Sequence, residues 1–467
     1  MDYDILILGG GIIGCAVAYE LSKYNINIAL IEKDYDVADD ISFINTAIIY
    51  DGSETSDVIM AGLENIGMKL IERACKKFSV PYNKTGALRM ASNNNNKGKL
   101  DTMYERAKER GIEGVYIIED NDKLIYDIEP NLNIKVDKAL YSENIAVISP
   151  YDLAISYAEV AADNGVNFKL EEIVMDIKNI SGGFKVTTNK NKFTCKVVVN
   201  TIPDEIYIDN NKEDLEKNND YKNMNYILFE NKLEKHINTI LIDEIDNGIF
   251  VINNPTISEG NLIGIKSNHL LTLDEGIDIS KNIFPEGKKE FVSNIFTEVY
   301  NKDVMVIDDS KLNSGYIKVT GTHYGKITIA PAIAMMIKDT LKNSLNITRK
   351  KDYVDKRREV YRFKEMSNEE RNEIISLDKK YGNIVCVCNN ISEGEVVDCI
   401  RRPLGARTVE GVKRRTGVGL GNCNGSHCNI KIIKILAREM NKNILDIVED
   451  SKDSNILSSR IKEFKEI

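Results

Sequence analysis

The sequence predicts an α/β protein in which a parallel-sheet domain is interleaved with an α+β domain and followed by a small helical module. Three observations support this prediction. Residues 5–33 pass through an apolar strand pattern, a glycine-rich turn, a helical pattern and a second apolar strand pattern. Residues 224–267 contain successive strand patterns, and five of the eight cysteines fall between positions 386 and 428. A chain of 467 residues is also long enough for two or three cores.

The glycine-rich turn has the form Gly9-x-Gly11-x-x-Gly14, and the second strand pattern ends on Glu32. In a Rossmann-like unit, these glycines allow a tight turn, close approach of a pyrophosphate and close packing of helix on strand. The helix N-terminus faces the phosphates, and the acid accepts hydrogen bonds from ribose hydroxyls. The segment therefore predicts a dinucleotide site at these four residues, with Lys33 beside them. The alternative is a glycine-rich turn without a ligand.

The two domains are predicted to alternate along residues 1–345. No second GxGxxG follows the first, so one tightly held flavin fits better than an exchanging nicotinamide. Helices are expected near 287–300 and from Thr328 onwards. The predicted parts are a flavin part (about 1–55, 140–205 and 310–345), an α+β substrate part (about 56–139 and 206–309), a linker (346–383), a cysteine-bearing module (384–440) and a helical tail (441–467).

Composition argues against several classes of protein. A net charge of −10 gives no support for nucleic-acid binding, and no apolar segment reaches the ~20 residues that span a bilayer. Asp2 and Asp4 stand where a secretory signal carries positive charge, so a cytoplasmic protein without structural disulfides is expected. Cys15, Cys75 and Cys195 then fit best as small apolar core residues.

The remaining cysteines form two close pairs and one separate residue. The pairs are Cys386-x-Cys388 and Cys423-x4-Cys428, and glycines surround the second pair. Cys399 falls in a helical pattern and is expected in the core. Four thiolates in two pairs predict a metal or cluster site. A CxC pair with nearby N–H donors suits a [2Fe-2S] cluster better than structural zinc, which usually uses CxxC; zinc and four free thiols are the alternatives.

Several segments resemble a known family. YGNIVCVC (381–388) and LGARTVEGVKRRTGVGLGNC (404–423) are similar to the C-terminal module of the anaerobic, clostridial-type glycerol-3-phosphate dehydrogenase large subunit. That module itself resembles the [2Fe-2S] domain of bacterioferritin-associated ferredoxin. ISFINTAIIYDG (41–52) and VISPYDLAISYAEVAADNGV (147–166) resemble the D-amino-acid-oxidase-like FAD fold of the same family.

The resemblance implies an FAD-dependent dehydrogenase that oxidises a small molecule. Electrons would pass from flavin through a [2Fe-2S] cluster to a partner redox subunit or acceptor protein. The resemblance places Ser42 and Asn45 where a loop meets the flavin and the pyrophosphate. It also places a backbone group of Val174 against adenine and Thr328 at a helix start beside the isoalloxazine.

Three residues are candidates for the chemistry. Flavin-dependent oxidation needs a base for the substrate hydroxyl or amine and a positive group near flavin N1 and O2. His323, just ahead of the flavin loop, has the best position for the base, and Lys326 could stabilise the anionic reduced flavin. Tyr50 could hydrogen-bond the substrate. The ordinary alternatives are a surface-loop histidine, an exposed lysine and a tyrosine that fills space.

The chain contains no arginine between Arg110 and Arg349. A guanidinium clamp on phosphate or carboxylate therefore cannot come from that span. Arg89 is the nearest candidate, with a solvated strand position as its alternative. Glycerol 3-phosphate is thus expected to be a poor substrate. A small hydroxy acid, an amino acid or a polyol phosphate is expected as substrate instead, or a partner subunit occupies the site. Pro203 and Lys326 also favour a competing interpretation, a diverged electron-transfer or assembly subunit without substrate oxidation of its own.

Overall fold

The computed structural model describes most of the chain. Ser42, Asn45 and Pro203, which the sequence singled out, lie outside the described residues. No helix within the described residues is long and apolar enough to cross a membrane. The described ranges are 1–39, 47–91, 94–119, 123–202, 222–229, 237–245, 249–257, 260–267, 269–300, 304–421 and 423–459.

The strands form where apolar and β-branched residues run together between turn residues. In chain order, the strands of the described ranges are β1 (Tyr3–Leu8), β2 (Ile28–Ile31), β3 (Ala47–Ile49), β4 (Tyr82–Asn83), β5 (Ala87–Ala91), β6 (Val115–Glu119), β7 (Lys138–Ser142), β8 (Ala146–Ile148), β9 (Asn167–Lys169), β10 (Val174–Ile180), β11 (Gly183–Thr188), β12 (Lys192–Asn200), β13 (Lys222–Phe229), β14 (Ile240–Ile245), β15 (Ile249–Pro255), β16 (Asn261–Ser267), β17 (Val292–Tyr300), β18 (Val304–Asp308), β19 (Tyr316–Thr322), β20 (Ile384–Cys386) and β21 (Ile391–Ser392).

Several helices begin at side chains that cap their first turn. Asp57 accepts a hydrogen bond from the backbone N–H of Met60, and Ser149 accepts one from that of Asp152, with Pro150 at the first helical position. In chain order, the helices of the described ranges are α1 (Ile12–Ser22), α2 (Val58–Phe78), α3 (Asn94–Glu109), α4 (Leu124–Ile128), α5 (Pro150–Asp163), α6 (Leu273–Ser280), α7 (Lys326–Leu345), α8 (Asn368–Leu377), α9 (Glu393–Arg401), α10 (Val409–Thr416) and α11 (Asn429–Met440).

The first sheet has a parallel centre in the order β9-β2-β1-β12-β19. β10 and β11 extend it as antiparallel strands, and β18 pairs with β19. Helices α1, α5 and α7 contribute buried apolar residues to one large core against this sheet. β1 from Ile5 to Leu8 and the whole of β2 are buried and apolar without interruption, as expected for central parallel strands covered on both faces. The carboxyl ends of these two strands meet at Gly9 and Glu32.

The second sheet has the order β17-β13-β16-β15-β14-β5-β7-β6, so two separate stretches of the chain build it. A small third sheet has the order β3-β8-β4, and both of its pairings are antiparallel. The helix expected near 287–300 is wrong, because residues 292–300 form β17 and pair antiparallel with β13. Val292, Ile295, Phe296 and Val299 are branched or aromatic residues that favour a strand.

The C-terminal module packs β20, β21 and helices α9 to α11 around its own apolar core. The residues that follow do not form the predicted helical tail: within 441–459 the chain makes one 3-10 turn, Ile444–Asp446, and no α-helix. Asn441 ends α11 in the left-handed conformation, with φ of 52°. The following segment is rich in Asp, Ser and Asn, whose side chains compete with helical hydrogen bonding.

The predicted linker binds to the first domain through a buried network of charges on α5. Arg357 donates to Glu159 at 2.7 Å and to Asp152 at 2.7 Å, and Arg362 donates to Asp152 at 2.8 Å. Arg402, at the end of α9 in the module, donates to the same Glu159 at 3.3 Å. The module and the first domain are therefore held together by paired, mostly buried groups.

Candidate flavin and cluster sites

The three fingerprint glycines form the turn that the sequence predicts. Gly9 has φ of 97°, which favours glycine. A Cβ on Gly14 would lie 2.0 Å from the carbonyl oxygen of Gly9, so only glycine lets α1 approach the turn this closely. Gly11 is the N-cap of α1; it provides no side-chain cap, and the first turn of the helix contains no acid. The N–H groups of that turn can therefore accept an anion, and the arrangement fits a pyrophosphate.

Glu32 lies directly after β2, beside the glycine turn. Its carboxylate accepts hydrogen bonds from the backbone N–H of Gly10 at 2.5 Å and of Asp34 at 3.0 Å. A carboxylate has about four acceptor positions, so a group oriented in this way suits hydrogen bonds from ribose hydroxyls as well. Lys33 is largely exposed and pairs with Asp34 at 2.5 Å. Val174 begins β10 and packs in an apolar cluster that also contains Leu8 and Ile31, the last residues of β1 and β2. The adenine contact that the resemblance implies for its backbone stays a prediction.

Thr328 connects the start of α7 to the strand that precedes Tyr50. Its hydroxyl oxygen accepts a hydrogen bond from the backbone N–H of Tyr50 at 3.1 Å and lies 3.4 Å from the carbonyl oxygen of Ile48. A Cβ on Gly67 of α2 would lie 1.8 Å from the Thr328 carbonyl oxygen, so α2 and α7 are in close contact here. Tyr50 itself is buried and packs edge-to-face on Tyr324, with ring centres 4.8 Å apart.

His323 is not a surface-loop residue, because its side chain is fully buried. Nδ1 accepts a hydrogen bond from the backbone N–H of Gly325 at 3.0 Å and lies 3.8 Å from Oε1 of Glu64, which is also fully buried. The ring stacks on Tyr324 at 4.4 Å, and Tyr324 is the more exposed of the two. Burial raises the pKa of Glu64 to about 8, although the nearby Thr55 hydroxyl favours the ionised form.

Arg89 is likewise not a solvated strand residue. It lies buried on β5 and forms an ion pair with Glu54, and its guanidinium lies 5.0 Å from the ring centre of Phe250 on β15. Arg106 donates to the backbone carbonyl of Glu54 at 3.5 Å. Arg110 donates three hydrogen bonds of 2.6–3.0 Å to carbonyls of the same segment. Guanidinium groups from before the arginine-free span therefore gather around the Glu54 segment, and Arg89 and Arg106 lie near Tyr324.

The four paired cysteines approach each other across the module. Cys386 and Cys428 are buried and hydrogen-bond to each other, and Cys388 and Cys423 form the second, more exposed pair. Among the described residues, no three ligand groups come close enough together to hold a metal ion. The structure thus brings the predicted ligands into two neighbouring pairs without closing them around one point.

The surroundings of these cysteines fit an iron–sulfur cluster. The backbone N–H of His427 and the thiol of Cys388 lower the pKa of Cys423, and such donors stabilise cluster sulfurs. A Cβ on Gly421 would lie 2.4 Å from Cβ of Cys388, so glycine leaves room at this position. Cys399 donates to the Val396 carbonyl at 3.1 Å from within the core, as predicted. The other three cysteines are buried, also as predicted: Cys15, Cys75 and Cys195.

Sequence reasoning missed two acidic residues of this region. Glu64 lies on the buried face of α2, in helical register with Met60, Gly67 and Ile71. An acid at an otherwise apolar position was the signal that could have identified it. Glu54 gave no such signal, because it lies in a segment without periodicity. Lys326 is half-buried at the first residue of α7, so the exposed-lysine alternative does not describe it.

Comparison with known families agrees with both parts of this description. Residues 4–202 match the family of FAD dependent oxidoreductases, and residues 384–438 match the BFD-like [2Fe-2S] binding domain. Fold and sites together define the class as an FAD-dependent oxidoreductase with a C-terminal [2Fe-2S] module. The predicted cofactors, FAD and a [2Fe-2S] cluster, are confirmed at this level.

Individual relatives narrow the class. The chain is 32% identical over 483 residues to a glycerol 3-phosphate dehydrogenase from Caloramator mitchellensis, covering 98% of this chain and 99% of that protein. The chain therefore belongs to the glycerol 3-phosphate dehydrogenase family. It is also 31% identical over 208 residues to a mitochondrial L-2-hydroxyglutarate dehydrogenase from Caenorhabditis briggsae, covering 41% of this chain and 47% of that protein.

A solved structure shares the fold of the first two domains. The FAD-bound, dithionite-reduced L-alpha-glycerophosphate oxidase from Mycoplasma pneumoniae superposes with a TM-score of 0.65 at 21% sequence identity. The match covers 77% of this chain and 99% of the oxidase. The likeness is one of fold.

Proposed function

We propose that this protein oxidises the secondary alcohol of a small anionic substrate at FAD and passes the electrons through its [2Fe-2S] cluster to a separate redox protein. Glycerol 3-phosphate is the first candidate substrate. The proposal depends above all on the similarity to a glycerol 3-phosphate dehydrogenase, which spans the flavin part and the cluster module alike. An iron–sulfur cluster accepts single electrons, so it suits a flavin that must pass two electrons to a one-electron acceptor.

The arginines around Glu54 support an anionic substrate. Arg89 and Arg106 precede the arginine-free span in the sequence, and both contact Glu54. The region around Glu54 therefore contains guanidinium groups although residues 111–348 contain none. Glu54 already pairs with Arg89, and an entering phosphate must compete with this carboxylate. We therefore expect affinity roughly ten- to a hundred-fold below that of a site with an unpaired arginine. The prediction that glycerol 3-phosphate is a poor substrate therefore rests on this competition between the phosphate and Glu54.

The residues around Tyr50 orient the substrate in this proposal. FAD, when bound, accepts a hydride from the substrate carbon. Burial raises the pKa of Tyr50 well above its ordinary value, so the phenol stays protonated and can donate a hydrogen bond to the substrate. The Tyr324 ring lies between His323 and the more open side, and His323 can act as the base only if a proton path passes this ring. Lys326 supplies positive charge at the start of α7.

The test is anaerobic bleaching of the flavin band in the protein that carries both cofactors. Glycerol 3-phosphate is compared with glycerol, which lacks the phosphate, and with 2-hydroxyglutarate, a 2-hydroxy acid. Bleaching by glycerol 3-phosphate but not by glycerol supports the proposal. Bleaching by 2-hydroxyglutarate alone would mean that the substrate is a 2-hydroxy acid and not a polyol phosphate. No bleaching by any of the three, with both cofactors present, favours the electron-transfer alternative.

A variant at Arg89 tests the anion contact separately. Arg89→Gln should raise the glycerol 3-phosphate concentration for half-maximal bleaching about tenfold or more, because a charge-assisted hydrogen bond is lost. Arg407→Gln, at an exposed arginine of the module, is the matched control and should leave it unchanged. Equal behaviour of the two variants would mean that Arg89 does not contact the substrate.

A further inference from the structure

The segment after β2, residues 33–39, is part of the framework of the dinucleotide turn; we refer to it as the β2 loop. The backbone N–H of Ala38 donates to the carbonyl of Gly10 at 2.9 Å. Asp34 donates from its own N–H to the carboxylate of Glu32. Val37 and Ala38 are buried, and Ala38 adopts φ of 63°, the left-handed region that L residues rarely occupy. The β2 loop is thus held in a defined position against the glycine turn.

The cluster module binds this loop through Arg415 of α10. Its guanidinium binds the carboxylate of Asp36 with both terminal nitrogens, and the Nη2–Oδ1 distance is 2.7 Å. Both side chains are only 4% exposed. Nη2 also donates to the carbonyl of Leu404 at 2.8 Å, which fixes the guanidinium within its own module. A Cβ on Gly411 would lie 3.1 Å from Oδ2 of Asp36. The absence of a side chain at Gly411 therefore lets the β2 loop approach α10 closely.

The neighbouring Arg414 makes a second connection. It binds Asp39 at the end of the described part of the β2 loop and donates to Asp450 at 3.0 Å. Its side chain is 4% exposed. Two adjacent arginines of one helix therefore hold two carboxylates of the loop that lies directly against the fingerprint.

We propose that Arg414 and Arg415 are positioning residues of the flavin site, so that FAD binds tightly only while the cluster module is docked on the β2 loop. The chain of contacts is continuous: Arg415 holds Asp36, Asp36 precedes Val37 and Ala38, and Ala38 donates to Gly10. Without Arg415, the desolvated carboxylate of Asp36 loses the guanidinium that binds it directly, and the loop must move to hydrate it. That movement breaks the hydrogen bond to the glycine turn.

Two consequences follow from this coupling. Coupling between sites is reciprocal, so bound FAD must also strengthen the docking of the module. The module cannot swing away from the flavin domain without weakening flavin binding, which keeps the two redox centres in one fixed arrangement. The proposal depends on FAD binding to this chain and not on the identity of the substrate.

The experiment is a titration of FAD into full-length, cluster-loaded protein from which flavin has been removed, followed by flavin fluorescence. Arg415→Gln and Asp36→Asn should each raise the FAD dissociation constant about tenfold or more. Iron and sulfide content should stay at the level of the unaltered protein. Arg438→Gln changes an exposed arginine of the same module, paired with Glu393, and should have no effect.

Two further variants separate this role from general loosening of the interface. The exchanged pair Asp36→Arg with Arg415→Asp should recover FAD affinity relative to either reversal alone. Arg402→Gln removes a buried module contact to Glu159 on α5 in which no residue of the β2 loop takes part, and should weaken FAD binding much less. Unaltered FAD affinity in Arg415→Gln, or an equal loss in Arg402→Gln, would overturn the proposal. Should Arg415→Gln not fold, Arg415→Lys and Asp36→Asn decide in its place: unaltered affinity in both overturns it.

Discussion

At the scale of single residues, the flavin site depends both on a glycine that has no side chain and on an acidic side chain that is held in place. Gly14 has no Cβ, and a Cβ there would meet the Gly9 carbonyl at 2.0 Å. Glu32, by contrast, acts through a carboxylate already oriented by two backbone N–H groups. The sequence predicted the close packing at Gly14, and the ribose contact of Glu32 stays a prediction; both follow from local backbone geometry at the end of a strand.

Gly14→Ala tests the close approach of α1 to the turn. The added methyl group must displace backbone, so we expect a loss of about 1–3 kcal/mol or more in the free energy of unfolding, together with weaker flavin retention. Gly62→Ala is the matched control, since Gly62 lies exposed on α2 with nothing within 4 Å of an added Cβ. That variant should be more stable by up to about 1 kcal/mol. Chemical denaturation and flavin content measure both effects.

Glu64 predicts a dependence of stability on pH. Burial raises its pKa from 4.5 to about 8; Glu54 and Asp51 add to the shift, and Arg110 opposes it. Because the pKa of Glu64 is higher in the folded state, its contribution to the free energy of unfolding is fully present below pH 4.5 and is lost as the pH rises towards 8. The loss amounts to at most about 1.4 kcal/mol per pH unit. Unfolding free energies measured at pH 5, 6, 7 and 8 should therefore fall less steeply in Glu64→Gln, and parallel curves would contradict this.

At the scale of elements, the cysteine module combines two short segments around one core. The Cys386 segment ends β20, and the Cys423 segment leads into α11. Cys386 is the last residue of β20, whereas Cys388 and Cys423 lie outside helices and strands, where backbone N–H groups surround Cys423. The spacing of the cysteines predicted two pairs along the chain, Cys386 with Cys388 and Cys423 with Cys428. The structure pairs them across the two segments instead, Cys386 with Cys428 and Cys388 with Cys423.

Cysteine variants distinguish the ligands from the core residues. Serine at Cys386, Cys388, Cys423 or Cys428 should each lower iron and acid-labile sulfide well below two per chain, because a [2Fe-2S] cluster needs four protein ligands. Cys399→Ala should keep the cluster and lose only packing, about 1 kcal/mol or more. Iron and sulfide analysis after anaerobic purification measures the difference. Zinc without sulfide in the unaltered protein would contradict the cluster assignment.

Element prediction failed where local patterns were ambiguous. The segment ending at Tyr300 was expected as a helix, and pairing with β13 makes it a strand. Its alternation is weak, so only the neighbouring strand decides its state. The tail after Met440 was expected as a helix, and its Asp, Ser and Asn side chains instead hydrogen-bond the backbone, as Ser454 does with Asp450.

At the scale of the whole molecule, paired charges join the parts. Arg357 and Arg402 both donate to Glu159, and Arg415 binds Asp36, so α5 and the β2 loop carry the module. These pairs are largely desolvated, and removing one partner costs about 3–5 kcal/mol where the other stays buried. The coupling of flavin binding to module docking belongs to this scale, because it requires residues about 380 positions apart in the chain.

The sequence by itself determined the features that depend on residues close to one another in the chain. The fingerprint, the parallel strands beside it, the cysteine pairs and the absence of arginine between Arg110 and Arg349 could all be read from neighbouring residues. The resemblance to the glycerol 3-phosphate dehydrogenase family rested on such local segments and is confirmed.

Tertiary structure alone decided which distant groups meet. It buried Arg89 against Glu54, placed His323 behind Tyr324 beside Glu64, and set Arg415 on Asp36. None of these pairs has a sequence signal, because charged residues at ordinary spacing are usually solvated. Their charges gain partners only when the two sheets, α5 and the module pack together, since burial makes an unpaired charge costly.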